Sequence, residues 1–226
     1  MTRSVASRSC FLIAVAAFLF VSLAHAQSTP ELTGIPGTLD WHNTPTAWHI
    51  TGNTVLNVSS GAKTDWFVDP FDGTVANSAP ILWFVPADTY VFSARVKVRF
   101  SSKWDAGALM LWADDHNWAK LSFELSPDKK PTLVTVVTRG VSDDCNSESI
   151  TGDTVFLQIA RTGQTYVFYY STDGSVWHIL RTFNLATTNK VFLGFESQSP
   201  DGAGSSAVFS RIQYAQRKIA NIYTGK

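Results

Sequence analysis

An all-β fold, two antiparallel sheets stacked as a jelly-roll sandwich, is what this sequence predicts, and three observations predict it. Apolar and polar residues alternate with period 2 over short runs, as half-buried strands do. No long window carries the 3.6-residue period of an amphipathic helix. The runs are separated by turn chemistry at Asp72-Gly73, Thr162-Gly163, Asp173-Gly174 and Pro200-Asp201-Gly202. Of 226 residues, 45% are hydrophobic and only 16% charged, enough to build a core and too apolar for a disordered chain. Lys plus Arg and Asp plus Glu each total 18, which removes the positive field that phosphate-backbone binding needs; no nucleic-acid partner is expected.

Residues 1–26 read as a secretory signal peptide. Arg3 and Arg8 precede an apolar run from Cys10 to Leu23, and Ala24-His25-Ala26 supplies the small residues of a cleavage site. The run is shorter than a membrane anchor and is followed by polar Gln27-Ser28-Thr29-Pro30, so no membrane span is expected after removal. The expected location is secreted or periplasmic. The 200 residues left suit one domain and carry two more acidic than basic groups. Residues 27–38, polar with two prolines, read as a loose leader; 39–216 as the sandwich; and 217–226 as a C-terminal tail, docked or frayed. Cys145 is then the single thiol, so no internal disulfide can form and stability must come from the core.

Strands are expected at Thr54 to Val58, Ile81 to Val85, Tyr90 to Phe100, Gly107 to Trp112, Ala119 to Leu125 and Leu133 to Thr138. Five more follow at Val155 to Ala160, Thr165 to Ser171, Val176 to Phe183, Val191 to Ser197 and Ala207 to Tyr214. The third shows the rule most plainly: Ala94, Val96, Val98 and Phe100 alternate with Arg95, Lys97 and Arg99, one face buried and one wet. Eleven short strands with no crossover helices imply antiparallel sheets, and the absence of a recurrent 40-residue unit argues against a propeller.

One hairpin can be registered residue by residue. With the turn at Asp114-Asp115-His116-Asn117, only a register of even sum keeps both apolar sets together. Trp112 then pairs with Trp118, Met110 with Lys120 and Ala108 with Ser122. Leu109, Leu111, Leu121, Phe123 and Leu125 form the core face. The other face carries Met110, Trp112, Trp118, Lys120, Ser122 and Glu124. Such a face is either solvated or covered by a loop, with Lys120 and Glu124 a surface pair and the tryptophans covering an edge, or a carbohydrate platform. On a platform, indoles cover the apolar side of a sugar ring while charged groups bond its hydroxyls. Eight tryptophans, Trp41, Trp48, Trp66, Trp83, Trp104, Trp112, Trp118 and Trp177, favour the platform.

A series of short motifs carries a family resemblance over about Leu39 to Tyr214. They are Asp65-Trp66, Asp105-Ala106-Gly107-Ala108-Leu109-Met110, Asn117-Trp118-Ala119-Lys120 with Glu124, Val136-Val137-Thr138-Arg139-Gly140, Tyr170-Ser171 with Asp173-Gly174 and Trp177, and Gly194-Phe195 with Ser197-Gln198-Ser199-Pro200. In this order they resemble the family called domain of unknown function 1349, the regulation-of-enolase-protein-1-like proteins of the concanavalin A-like lectin/glucanase superfamily. The resemblance implies a concanavalin A-like jelly roll whose concave sheet, in relatives, binds or cleaves glycans. Where the family's aspartate is usually followed by Gln, this chain has Ala106, which weakens a ligand role there. The implied ligand-binding set is Trp112, Asn117, Trp118, Lys120 and Glu124, with Asp65, Trp66 and Arg139.

Catalytic chemistry finds less support. Glycosidases normally use two carboxylates, and this chain has only Glu31, Glu124, Glu148 and Glu196, without the E-x-D-x-x-E strand pattern of superfamily glucanases. Glu124 with Asp105 across the strands is the alternative catalytic pair. No G-x-S-x-G elbow and no His/Cys zinc spacing occur, so no cofactor is expected. Asp143, Asp144, Asn146 and Glu148 place four oxygen side chains within six residues, a weak alternative for Ca2+, but a solvated Asx-rich turn is the simpler reading. The expected partner is a poly- or oligosaccharide; nothing in the sequence speaks to oligomeric state.

Overall fold

The computed structural model describes Met1 and residues 29–226, so the expected signal peptide lies outside the described residues. Sixteen strands follow in chain order: Asp40–His42 (β1), Ala47–Thr51 (β2), Val55–Gly61 (β3), Trp66–Val68 (β4), Val75–Asn77 (β5), Ile81–Phe84 (β6), Thr89–Arg99 (β7) and Ala106–Asp114 (β8). Then come Asn117–Leu125 (β9), Pro131–Arg139 (β10), Val141–Ser149 (β11), Thr154–Thr162 (β12), Thr165–Ser171 (β13), His178–Phe183 (β14), Phe192–Gln198 (β15) and Gly204–Ala215 (β16). Two seven-stranded antiparallel sheets form a sandwich, ordered β1-β6-β15-β8-β9-β10-β11 and β14-β13-β12-β7-β16-β3-β2, and β4-β5 is a separate hairpin. All eleven expected strands are present.

The core lies between the sheets and is built from the alternating residues. Phe92, Ala94, Val96 and Val98 of β7, Val155, Leu157 and Ile159 of β12 and Phe209 of β16 meet Leu109, Leu111, Leu121, Phe123, Leu193 and Phe195 of the facing sheet. The sheets approach closely at Gly107, where an added Cβ would sit 2.7 Å from the Ala207 side chain and 3.0 Å from Val96. Only glycine fits there.

Two expectations need correction, and one left open is resolved. Residues 29–38 are docked, not loose: Leu32 is 4% exposed in the core and Thr33 donates its backbone N–H to Asn53. Asp143 to Glu148, read as an Asx-rich turn, lie in the edge strand β11, paired with β10 from Val141↔Arg139 to Ser149↔Thr132. An edge strand needs no apolar alternation, and polar residues on it discourage pairing with another chain, so the period-2 signal was absent. Short β1, β2, β4 and β5 also carried no periodic signal. The C-terminal tail is docked: Gly225 O accepts a hydrogen bond from Gln158 Nε2 and Ile222 O one from the Tyr169 hydroxyl. Among the described residues no helix is long and apolar enough to cross a membrane.

Candidate functional site

The β8–β9 register is the one read from the sequence: Trp112↔Trp118, Met110↔Lys120 and Ala108↔Ser122. Neighbouring strands extend the outer face. On β15, Gly194 opposes Met110, Glu196 opposes Ala108 and Gln198 opposes Ala106. On β10, Val134 opposes Ser122 and Val136 opposes Lys120. The period-2 geometry therefore brings Lys120, Glu124, Glu196 and Gln198 onto one side, away from the core.

This face is not wet along its length, because the β4–β5 hairpin lies on it. Trp66, wholly buried, packs edge-on against Trp118 with ring centroids 6.0 Å apart, and both join Met110, Val134 and Val136 in a second apolar cluster. The hairpin is fastened by the Trp66 indole donating to Ala79 O at 2.8 Å and by Val68 N–H donating to the Ser142 hydroxyl at 2.9 Å. Lys120, expected as a possible surface residue, is 2% exposed. Its ammonium donates to Asp65 Oδ1 at 2.9 Å and to Gln198 Oε1 at 2.6 Å, so its ion-pair partner is Asp65 from the hairpin and not Glu124.

Beside the hairpin an open cleft of about 440 Å3 remains, with Asp65, Lys120, Glu124, Asp144, Asn146 and Gln198 as polar walls. Phe71, 97% exposed, and Trp104, 38% exposed, stand at its rim. Trp104 has φ of 66°, the left-handed region that a bulky residue enters only under constraint. Its N–H donates to Leu125 O at 2.6 Å and its carbonyl accepts from Gln198 Nε2 at 3.0 Å. Gln198 thus links the rim tryptophan to the buried lysine.

The electrostatics of this floor are unusual. Burial pushes the Glu124 carboxyl up to about 8 against the opposing pull of Lys120, with Asp65, Glu196 and Asp144 adding to the rise. Glu196, with no exposed surface and no hydrogen-bond partner for either carboxyl oxygen, is raised by burial to about 8 as well. Burial alone would lower Lys120, but Asp65, Glu196 and Glu124 together hold its pKa above the ordinary lysine value. At neutral pH the floor is therefore an ion pair, Lys120 with Asp65, flanked by two carboxylic acids that can donate hydrogen bonds.

The other expected residues are placed as follows. Trp118 and Trp66 are buried beneath and within the hairpin and offer no face to a ligand. Trp112 belongs to a half-buried aromatic group with His42, Trp83 and Phe192, whose centroids lie between 4.5 and 6.0 Å apart, at the other end of the face. Asn117 is committed to the hairpin turn, donating to Asp114 Oδ1 at 2.9 Å. Arg139 is exposed at the end of β10, 3.4 Å from Asn184 O. Asp105 has the parity of the core side, not that of Glu124. Its Oδ2 accepts the Ser101 and Ser102 N–H groups and its Oδ1 the Ser199 hydroxyl, so it clamps a loop and cannot partner Glu124. The four oxygens proposed for Ca2+ do not converge, because β11 alternates. Asp144 and Asn146 line the cleft, Asp143 pairs with Arg181 at 2.8 Å on the other side, and Glu148 lies past a bulge near Tyr170.

Glu196, Gln198, Trp104 and Phe71 were not singled out from the sequence. Registering β15 onto β8 by the same parity argument would have found the first two. The rim aromatics carry no periodic signal, since both lie in loops.

The family described as protein of unknown function (DUF1349) has a profile that matches residues 41–217. No curated protein matches the sequence. Among solved structures, a functionally unknown protein from Saccharomyces cerevisiae is similar with a TM-score of 0.73 and 22% identity, over 79% of this chain and 96% of that one. A Bacteroides ovatus protein titled xyloglucan PUL GH43B gives a TM-score of 0.55 at 19% identity, over 72% of this chain but only 33% of its own length. The carbohydrate-binding module CBM66 from Bacillus subtilis gives 0.50 at 11% identity, over 77% of this chain and 94% of that module. At these identities the likeness is one of fold: a β-sandwich shared with a carbohydrate-binding module and with a part of a glycoside hydrolase.

Proposed function

We propose that this chain, which belongs to the DUF1349 family by a match over most of its length, is an exported carbohydrate-binding sandwich that holds a poly- or oligosaccharide without cleaving it. The observation that carries this reading is the cleft itself. Exposed aromatic rings stand at its rim and a small set of fixed polar groups forms its floor, the division of labour by which sugars are recognised. Trp104 and Phe71 cover the apolar side of a ring. Asp65, Asp144, Asn146 and the protonated Glu124 bond hydroxyls, with Lys120 holding Asp65 in place. The sandwiches of CBM66 and of the GH43 protein support the class of ligand, though not its identity. Export rests on the sequence of residues 1–26, and N-terminal sequencing of protein recovered outside the cytoplasm tests it.

A second reading, glycan cleavage through Glu124, is favoured by one observation: Glu124 and Glu196 both hold their protons to about pH 8 around Lys120. Glu196 does not line the cleft, however, so a substrate would meet only one of the two acids. A glycan array followed by calorimetry separates the readings. Binding without new reducing ends, weakened roughly thirtyfold in Trp104→Ala and only modestly in Glu124→Gln, supports the binding protein. Release of oligosaccharides that stops in Glu124→Gln supports the enzyme. Binding unaffected by Trp104→Ala would remove the cleft as the site.

A further inference from the structure

From the charges that line the cleft, and resting on the glycan-binding reading above, we propose that it selects a glycan carrying protonated amines, an amino-sugar polymer, over neutral glycans and against uronic-acid glycans. Four acidic side chains line the cleft, those of Asp65, Asp69, Glu124 and Asp144, against one ammonium, that of Lys120; Glu124, held protonated, adds no charge, and the three aspartates still outnumber the ammonium. That ammonium is not available to an anion. It is 2% exposed and is already occupied by Asp65 at 2.9 Å and Gln198 at 2.6 Å. Lys103, beside the rim, sits over the Trp104 ring 4.4 Å from its centroid and reaches Asp201 at 3.7 Å. The free charge facing a ligand is therefore negative.

An acidic wall alone would be a solvated surface. Here a second feature points inward to a ligand: Glu124, 8% exposed, lines the cleft with its carboxyl acted on by burial and neighbouring charges and by no hydrogen bond. Asp144 and Asn146 stand on β11, opposite Val136 and Val134 of β10, while Glu124 lies one strand further on β9. A sugar entering the cleft beside these buried valines would place an equatorial amine between Asp144 and the carbonyl oxygen of the Glu124 carboxyl. Uronate in the same place would meet the Asp144 carboxylate in a partly dry site, where like-charge contact is costly. A neutral hydroxyl gains hydrogen bonds but no Coulomb attraction.

Three tetrasaccharides with one backbone geometry test this: β-1,4-linked glucosamine, glucose and glucuronic acid. Each is titrated calorimetrically into the purified full-length protein at about pH 5.5, below the ordinary range of amines. The expected order is glucosamine over glucose by roughly tenfold, with glucuronic acid weakest. Raising salt from about 50 to about 300 mM should shrink the first difference and leave glucose binding unchanged. Asp144→Asn, a substitution at an exposed edge position that spares the fold, should reduce the glucosamine preference about three- to fivefold. Equal binding of glucosamine and glucose, or tighter binding of glucuronic acid, overturns the amine preference and leaves the glycan reading intact. If none of the three binds while another glycan does on the array, the preference again falls alone; if no glycan binds at all, both fall.

Discussion

Replacing Lys120 by methionine keeps the length and apolar character of the side chain and removes only its ammonium, which isolates the ion pair at the floor of the cleft. The loss leaves Asp65 Oδ1 and Gln198 Oε1 without the donor that now reaches them at 2.9 and 2.6 Å. Removing one partner of a buried pair costs about 3 to 5 kcal/mol, because the other charge stays behind. The Asp65 side chain is 21% exposed, so water can reach part of it, and the lower end, about 3 kcal/mol, is expected. With a urea slope of about 2 kcal/mol/M for a domain of this size, the unfolding midpoint should fall by roughly 1.5 M. Asp65→Asn in the same background removes the stranded charge and should restore part of the loss. A double-mutant cycle should thus show a coupling above about 1 kcal/mol. A loss under about 1 kcal/mol in Lys120→Met, or simple additivity with Asp65→Asn, would mean that the lysine is solvated in solution and the cleft floor is not built as described.

Stability should depend on pH in a particular direction. Glu124 and Glu196 have folded-state values raised to about 8 from an unfolded value near 4.5, so their contribution is complete below about 4.5 and is lost as pH rises through about 8. The urea midpoint should decline across that window and decline less in Glu196→Gln; a flat profile would refute the burial of these acids. Trp118→Ala should destabilise by about 3 to 5 kcal/mol, as emptying a buried aromatic site does, measured by the same melts. A stable variant that has merely lost ligand would restore Trp118 as a stacking surface. Gly107→Ala should cost about 1 to 3 kcal/mol, since its Cβ would enter the space between Ala207 and Val96; a neutral result would show the sheets to be further apart.

How much of this could be read in the chain depended on whether the information was local. The β8–β9 register follows from the turn and the parity of two apolar sets, both within twenty residues, and it is correct at Trp112↔Trp118, Met110↔Lys120 and Ala108↔Ser122. The consequence drawn from it, an open platform with Trp118 presented to solvent, failed for a non-local reason. The cover comes from Trp66, fifty-two positions earlier, on a three-residue strand too short to announce itself by alternation. Likewise a polar run holding Asp143, Asp144, Asn146 and Glu148 is compatible with a turn or with an edge strand, and only pairing with β10 decides between them.

Glu196 bears on the proposed binding role. A sandwich whose core is as apolar as the one between these sheets does not need a lysine and two glutamic acids buried on its outer face. Well-packed hydrophobic residues there would be as stable or more so, and two unpartnered carboxyl oxygens cost about 1 to 3 kcal/mol. That cost falls on the same β15 strand whose Gln198 holds both the Lys120 ammonium and the backbone of the strained Trp104. The Asp65 carboxylate holds the lysine charged, the lysine fixes Asp65 and Gln198, and Gln198 sets the rim tryptophan. A chain of contacts running from the driest point of the face to its most exposed aromatic is expected of a binding site whose geometry must be fixed before the ligand arrives, and it is not required by the fold.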